Sequence, residues 1–536
     1  MSRKLLFSQI MFIGILLFAN PIALISNNLT ISNVSLTGQN TSEDYAYIRF
    51  DISWENSWRT SSAPNNHDAA WVFAKYRVGS GTWNHVMLSP SGHIAPAGST
   101  IDVPSDLVGA FFYRDADGNG TFTKTGVKLR WNYGASGIGD NDVVEVKVFG
   151  IEMVYVPEGA FWVGSTTGGN ELGRFYTYPN DATPYHITSE EEITVGTATG
   201  NLYYYESTTN TIITGDNSGP IPASYPKGYN SFYVMKHEVP HHAYVDFLNC
   251  LTREQQNERT SVNLQDGITA VTYVYVMVFR STSPIYSAIP ERRSSIRCDE
   301  IIPEHGPITF YCDLNNNKIR NEDDDGQHIA CVYPSWDDAM AYLDWTGLRP
   351  MSELEFEKSC RGPLYPVANE YVWGTGSPSV NSTLDNAGRA DETNSSSTAN
   401  CTAQDMPASP TRVGMYAKPG TNRKDSGATY YGILDMAGNL WERPVTVGNL
   451  NGRNYTGQHG NGILSSAGSA NVENWPHSTP GMSNDEILNM GSGYRGGYYN
   501  SNINGSIMRI AGRQYAAQGS NPRKERYGIR GVRTAP

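Results

Sequence analysis

Two histidines and a glutamate stand in the run HEVPH, His237 to His241, at the HExxH spacing. In zinc peptidases that spacing puts two imidazoles one helical turn apart, with the glutamate over metal-bound water. Pro240 opposes such a use. Inside a helix, proline removes a backbone hydrogen bond and clashes with the preceding turn, whereas at the first helical position it is well tolerated. Upstream, SFYVMKHEV reads as a strand; downstream, Ala243, Val245, Phe247, Leu248 and Leu251 recur at helical spacing. A helix beginning at Pro240 leaves His237 outside it, and no zinc site is expected.

The other chemistry-bearing groups are carboxylates and thiols. Glu353, Glu355 and Glu357 occupy alternate positions of a short helix, which reads as a solvated face with one inward salt bridge. The run DLNNNKIRNEDD puts Asp313, Asn315, Asn317, the Ile319 carbonyl, Asn321 and Asp324 at positions 1, 3, 5, 7, 9 and 12 of a calcium loop. Lys318 falls where such loops carry glycine, so calcium loop and plain acidic loop stand as equal readings. DADGNGT, from Asp115 to Thr121, reads better as a hairpin turn, because Gly126 falls at the twelfth position. Six cysteines, Cys250, Cys298, Cys312, Cys331, Cys360 and Cys401, form no CxxC pair. In an exported chain they read as disulfides, and Cys298 with Cys312 is the pairing that closeness in sequence suggests. No GxSxG, P-loop or dinucleotide fingerprint occurs.

The elements that must position these groups belong to a turn-rich, mostly β chain. Its 536 residues predict two or three domains, and tyrosine (33) outnumbers phenylalanine (16), as suits an extracellular β protein. A net charge of -13 without a lysine-arginine stripe argues against nucleic acid and anionic membrane surfaces as partners. The opening MSRKLLFSQIMFIGILLFANPIALIS has a basic start, a short apolar run and small residues after it, the layout of a signal peptide over residues 1–26. Its apolar run is shorter than the ~20 residues of a membrane span. A secreted or cell-surface protein is therefore expected, with no membrane span after cleavage. YAYIRFDISW, AAWVFAKYRV, VKLRW and VVEVKVFGIEMVYV alternate between turns and predict an N-terminal β-sandwich, Ig-like, over residues 27–150.

From Met153 the pattern changes. MVYVPEGAFWVGS, FYVMKHEVPHHAYVDFLN, PSWDDAMAYLDWTGLRPMSELEFEKSCRG, YYGILDMAGNLWER and YGIRGVR follow one another in order. Together they resemble the formylglycine-generating enzymes, or sulfatase-modifying factors, over residues 151–536, with insertions at about 166–231 and 263–330. The resemblance implies an α+β C-type-lectin-like domain after the sandwich. It also implies structural calcium on the Asp435 and Glu442 side chains with the Gly438 and Leu440 carbonyls; the plain alternative is a turn held by Asp435. In the enzymes of this family a cysteine pair follows the glycine turn and binds copper. Here the matching positions fall on Ser501 and Ser506, and a hydroxyl is no soft copper ligand. No segment resembles the histidine-bearing helical domain of the iron-dependent relatives. Neither copper nor iron is expected.

The run between Arg495 and Arg509 is RGGYYNSNINGSIMR. Tyrosine gives rigid contact area and small polar residues give adaptable hydrogen bonds, the composition of binding loops. This run, with WERPVTVGN before it and RGVRTAP after it, resembles the variable proteins of diversity-generating retroelements. Tyr494, Tyr498, Tyr499, Asn500, Ser501, Asn502, Asn504, Ser506 and Tyr515 are the expected ligand-binding residues, with Trp475 at the rim. The expectation is a catalytically silent receptor or adhesin for protein or glycan at a cell surface, able to self-associate. The alternatives are a metal-dependent oxidoreductase of the family and a surface or filament subunit.

Overall fold

A computed structural model describes residues 28–536 except 167–170, 206–207, 210–211, 280–289, 377, 381–382, 397, 419 and 480. The expected signal segment, 1–26, lies outside the described residues.

Strand Tyr45–Arg59 shows why the N-terminal region is a sandwich. Ala46, Ile48, Phe50, Ile52 and Trp54 alternate with more exposed residues and turn to one side, the two-residue period of a strand with one buried face. This strand lies between Thr30–Asn40 and Gly118–Trp131 in a three-stranded antiparallel sheet. Opposite it stands an eight-stranded sheet in the order Arg349–Pro350, Gly531–Thr534, Phe232–Met235, Val144–Val156, Asp68–Val78, Ala110–Arg114 and Ser99–Asp102, with Asn84–His85 paired onto Asp68–Val78. Ile48, Phe50, Trp54, Val72, Phe112, Leu129 and Trp131 fill the space between the sheets.

The larger sheet is common to both parts of the chain. Strand Val144–Val156 pairs with Asp68–Val78 along Val144 to Val154 and with Phe232–Met235 at Met153 to Val156. Strand Asp68–Val78 is buried on both faces. Its Ala70, Val72 and Ala74 enter the sandwich core, while Ala69, Trp71 and Phe73 enter the core of the C-terminal part. Trp71 donates Nε1 to the Thr346 carbonyl at 2.8 Å, and Lys75 donates to the carbonyls of Trp345 (2.8 Å) and Gly462 (2.7 Å). The acceptors Trp345 and Thr346 close helix Trp336–Thr346, which begins in a capping box of Ser335 and Asp338 and stops at the left-handed Gly347.

Several expectations need correction. All six cysteines are buried free thiols. In the short ladder of Ile296–Arg297 with Tyr311–Cys312, Cys312 faces Ile296, and Cys298 lies just beyond the paired residues. The cysteines thus act as small apolar residues, and burial pushes the Cys250 thiol up to about 11. Asp115 to Thr121 is no hairpin between paired strands. It carries the chain from Ala110–Arg114 in the large sheet to Gly118–Trp131 in the small one. No helix among the described residues is long and apolar enough to cross a membrane.

Candidate functional site

Helix Glu353–Arg361 forms the platform, and its charge does not face water. Glu353, Glu355 and Glu357 are all buried, which corrects the solvated-face reading. Glu353 and Glu357, four residues apart, share a face and meet arginines from distant sequence. Arg495 lies 2.9 Å from each of them, and Arg513 lies 2.6 Å from Glu353. Arg361 pairs with Glu357 and with Glu370, and Arg349 with Glu355. Despite burial, the two facing guanidinium groups hold the Glu353 carboxyl below its ordinary value.

From this platform the chain turns at Gly496 and Gly497, with φ of 81° and 79°. These are left-handed values that favour glycine. A Cβ on Gly496 would also stand 2.5 Å from the Met436 carbonyl oxygen. The close approach lets the turn dock on the Asp435–Glu442 segment. Gly438 donates to the Gly496 carbonyl at 2.9 Å, and Arg495 and Glu442 exchange backbone hydrogen bonds at 3.0 and 3.1 Å.

Above the docked turns lies a groove of about 810 Å³. Its floor is an aromatic stack. Tyr498 stacks on Trp441 at 5.8 Å between ring centroids, Tyr515 meets it edge-on at 5.8 Å, and Tyr494 leans on it at 5.7 Å. Tyr494 stacks in turn on Tyr527 at 5.2 Å, with the two hydroxyls 2.8 Å apart. The Arg443 guanidinium sits 4.4 Å from the Tyr527 ring centroid, a cation–π contact that rigidifies the floor. Burial raises the Tyr494 phenol above its usual range, so it stays neutral.

Tyr494, Tyr498, Asn500, Ser501, Asn502 and Tyr515 meet around the groove; Tyr499, Asn504 and Ser506 do not line it. Asn500, Asn502 and Asn504 are exposed. Asn500 donates its amide to Asp405, and Asn502 accepts from the Asn504 amide at 2.9 Å. Tyr499 is buried, with its N–H on the Asn439 carbonyl at 2.9 Å. Ser501 and Ser506 are buried as well. The Ser501 hydroxyl accepts from the Tyr498 amide at 2.8 Å, and that of Ser506 donates to Gln514 at 3.3 Å. Trp475 is buried elsewhere, with Nε1 on the Gln458 carbonyl. Sequence reasoning missed Trp441, Tyr527, Arg443 and Arg526. Trp441 and Tyr527 were inside the quoted motifs, but nothing local marked their rings as the floor of one groove.

Next to the platform, Glu238 accepts from the Leu440 amide at 3.0 Å and from the Asn439 side chain. Burial pushes its carboxyl up, and the neighbouring Asp435 and Glu442 push it further. Asp435 accepts the Gly414 amide at 2.6 Å. Glu442 accepts Arg530 Nε at 2.7 Å, and the same guanidinium donates to the Met235 and Leu434 carbonyls. A calcium ion on Asp435, Gly438, Leu440 and Glu442 would share the Glu442 carboxylate with a guanidinium. Arg530 holds one Glu442 oxygen and the Gly414 amide one Asp435 oxygen, which leaves each carboxylate a second hard donor that suits calcium. Helix His241–Leu248 has Pro240 at its cap and His237 before it. In the other loop, Asp313 is buried and paired with Arg297 at 2.8 Å. The Asn315 side chain bonds Asp324 at 3.2 Å, Asn317 Oδ1 accepts the Ile319 amide at 2.7 Å, and Lys318 adopts the left-handed φ of 69°.

The family model of the sulfatase-modifying factor enzyme 1-like domain matches residues 147–535. No curated protein matches the chain.

Proposed function

The chain belongs to the sulfatase-modifying factor enzyme 1-like family, and we propose that this member is an exported binding protein whose groove around Trp441 recognises protein or glycan at a cell surface. The observation that carries this reading is the groove itself, a fixed aromatic floor with exposed Asn500 and Asn502 on its wall. Aromatic faces supply contact area at low entropic cost, and amides adapt their donors and acceptors to the ligand. Arg526, 5.8 Å from the Tyr498 ring centroid, adds positive charge at the edge.

The reading includes genetic diversification of the exposed positions. Asn500, Asn502 and Asn504 can change without disturbing the core, whereas half-buried Tyr498 packs on Trp441 and Tyr499, Ser501 and Ser506 are buried. Arg495 and Arg513 hold the frame on either side of the run.

Family membership favours a second reading, oxygen-dependent thiol oxidation. It needs soft metal donors, and among the described residues the groove lining carries no cysteine. Metal analysis of the purified chain, with oxygen consumption on a cysteine peptide, separates the two. Bound copper or iron with turnover supports the oxidase. Ligand capture that depends on Tyr498, with no turnover in copper-supplemented buffer, supports recognition.

A further inference from the structure

We propose that Glu322, Asp324 and Asp325 form a calcium site at the end of the 313–325 loop. One carboxylate oxygen of each lies within 4.8 Å of the others. Three like charges so close repel one another unless a cation or protons intervene. The basic groups nearby are committed elsewhere: Arg297 to Asp313, Lys318 to Glu300, Arg320 to Asp299 and Arg389 to Asp323. Among the described residues none of the three carboxylates has an ion-pair partner.

Asp325 is the second, independent observation. It is fully buried, its Oδ2 accepts the Glu322 amide at 2.6 Å, and its Oδ1 has no hydrogen-bond partner. A buried carboxylate oxygen without a donor is costly, and a cation beside it removes that cost. The Asn315 and Asn317 amides each hold one oxygen of Asp324 and Glu322, which orients both carboxylates and leaves each a second oxygen. All the donors are hard oxygens, which suits calcium and disfavours zinc or copper.

This ligand set differs from the loop reading made from spacing. The first-position carboxylate, Asp313, is neutralised by Arg297, so the ion belongs at the far end, and only Asp324 is common to both sets. The next residue, Gly326, donates to the Gly388 carbonyl at 2.9 Å, and Gly388 donates to Glu392 at 2.7 Å. An ion at 322–325 therefore fastens this loop to the segment around Gly388.

The test is calorimetric titration of the chelator-stripped full chain with calcium chloride, with thermal melts alongside. Saturable binding and a raised Tm are expected. Asp325→Asn, and separately the double variant Glu322→Gln with Asp324→Asn, should lose one bound calcium or bind it at least about tenfold more weakly. Because Glu322 and Asp324 are partly exposed, the double variant decides the matter should Asp325→Asn fail to fold. Unchanged stoichiometry and affinity in the folded double variant would overturn the site. So would the absence of calcium binding by the wild-type chain at millimolar calcium.

Discussion

Arg495 and Glu353 face each other at 2.9 Å, and neither side chain touches solvent. Glu353 also receives Arg513 at 2.6 Å. A single carboxylate on helix Glu353–Arg361 therefore pairs with an arginine at the start of the surface run and with one four residues beyond its end. The variable-looking residues hang between two arginines fixed to one glutamate, so the run can change while its anchors stay in place.

Removing that carboxylate charge leaves two buried guanidinium groups short of a counter-ion. Glu353→Gln is expected to cost about 3–5 kcal/mol, the range for breaking a buried pair from one side. Urea unfolding monitored by tryptophan fluorescence would report it as a lower midpoint at unchanged slope.

Surface and floor of the groove should separate cleanly. Asn502→Ala touches an exposed side chain and should change stability by no more than about 0.5 kcal/mol. Trp441→Ala removes the ring on which three tyrosines pack, and should cost about 3–5 kcal/mol. Thermal melts of the two variants check the contrast.

Stability should depend on pH through Lys75. Burial pulls its ammonium from 10.5 down to about 7, while His85 Nδ1 lies 2.9 Å from Nζ. Between pH 7 and the unfolded value the unfolded chain holds the extra proton, so this residue's contribution makes stability rise with pH across that window. Lys75→Met should flatten that rise. Denaturant midpoints at a series of pH values above 7 would show whether the slope disappears.

Genetic diversification of the run should follow exposure. Sequencing the codons of residues 494–515 across a natural population should find substitutions at Asn500, Asn502 and Asn504. Tyr499, Ser501, Ser506, Gly496, Gly497, Arg495 and Arg513 should stay constant. Equal constancy along the whole run would remove diversification and leave a fixed binding surface.

What was legible in the sequence was what local pattern governs. The alternation beginning at Tyr45 marks a strand with one wet face, and Pro240 marks where a helix begins. Strand Asp68–Val78 is legible as a strand, but its burial on both faces means that no pattern along it tells which core each residue serves. Glu353 and Glu357 looked solvent-facing because their partners, Arg495 and Arg513, lie more than a hundred residues away. The stacked floor of the groove was hidden for the same reason. Trp441, Tyr494, Tyr515 and Tyr527 converge only after two distant segments dock through Gly438 and Gly496.

Ligand recognition by the groove is open to direct test. Screening the full chain against a glycan array and a displayed random-peptide library, beside the double variant Asn500→Ala with Asn502→Ala, tests it most directly. Reproducible hits that the double variant loses while keeping its Tm are the expected result. Hits that survive in the variant, or no hits together with oxygen consumption by the copper-supplemented chain on a cysteine peptide, would contradict it.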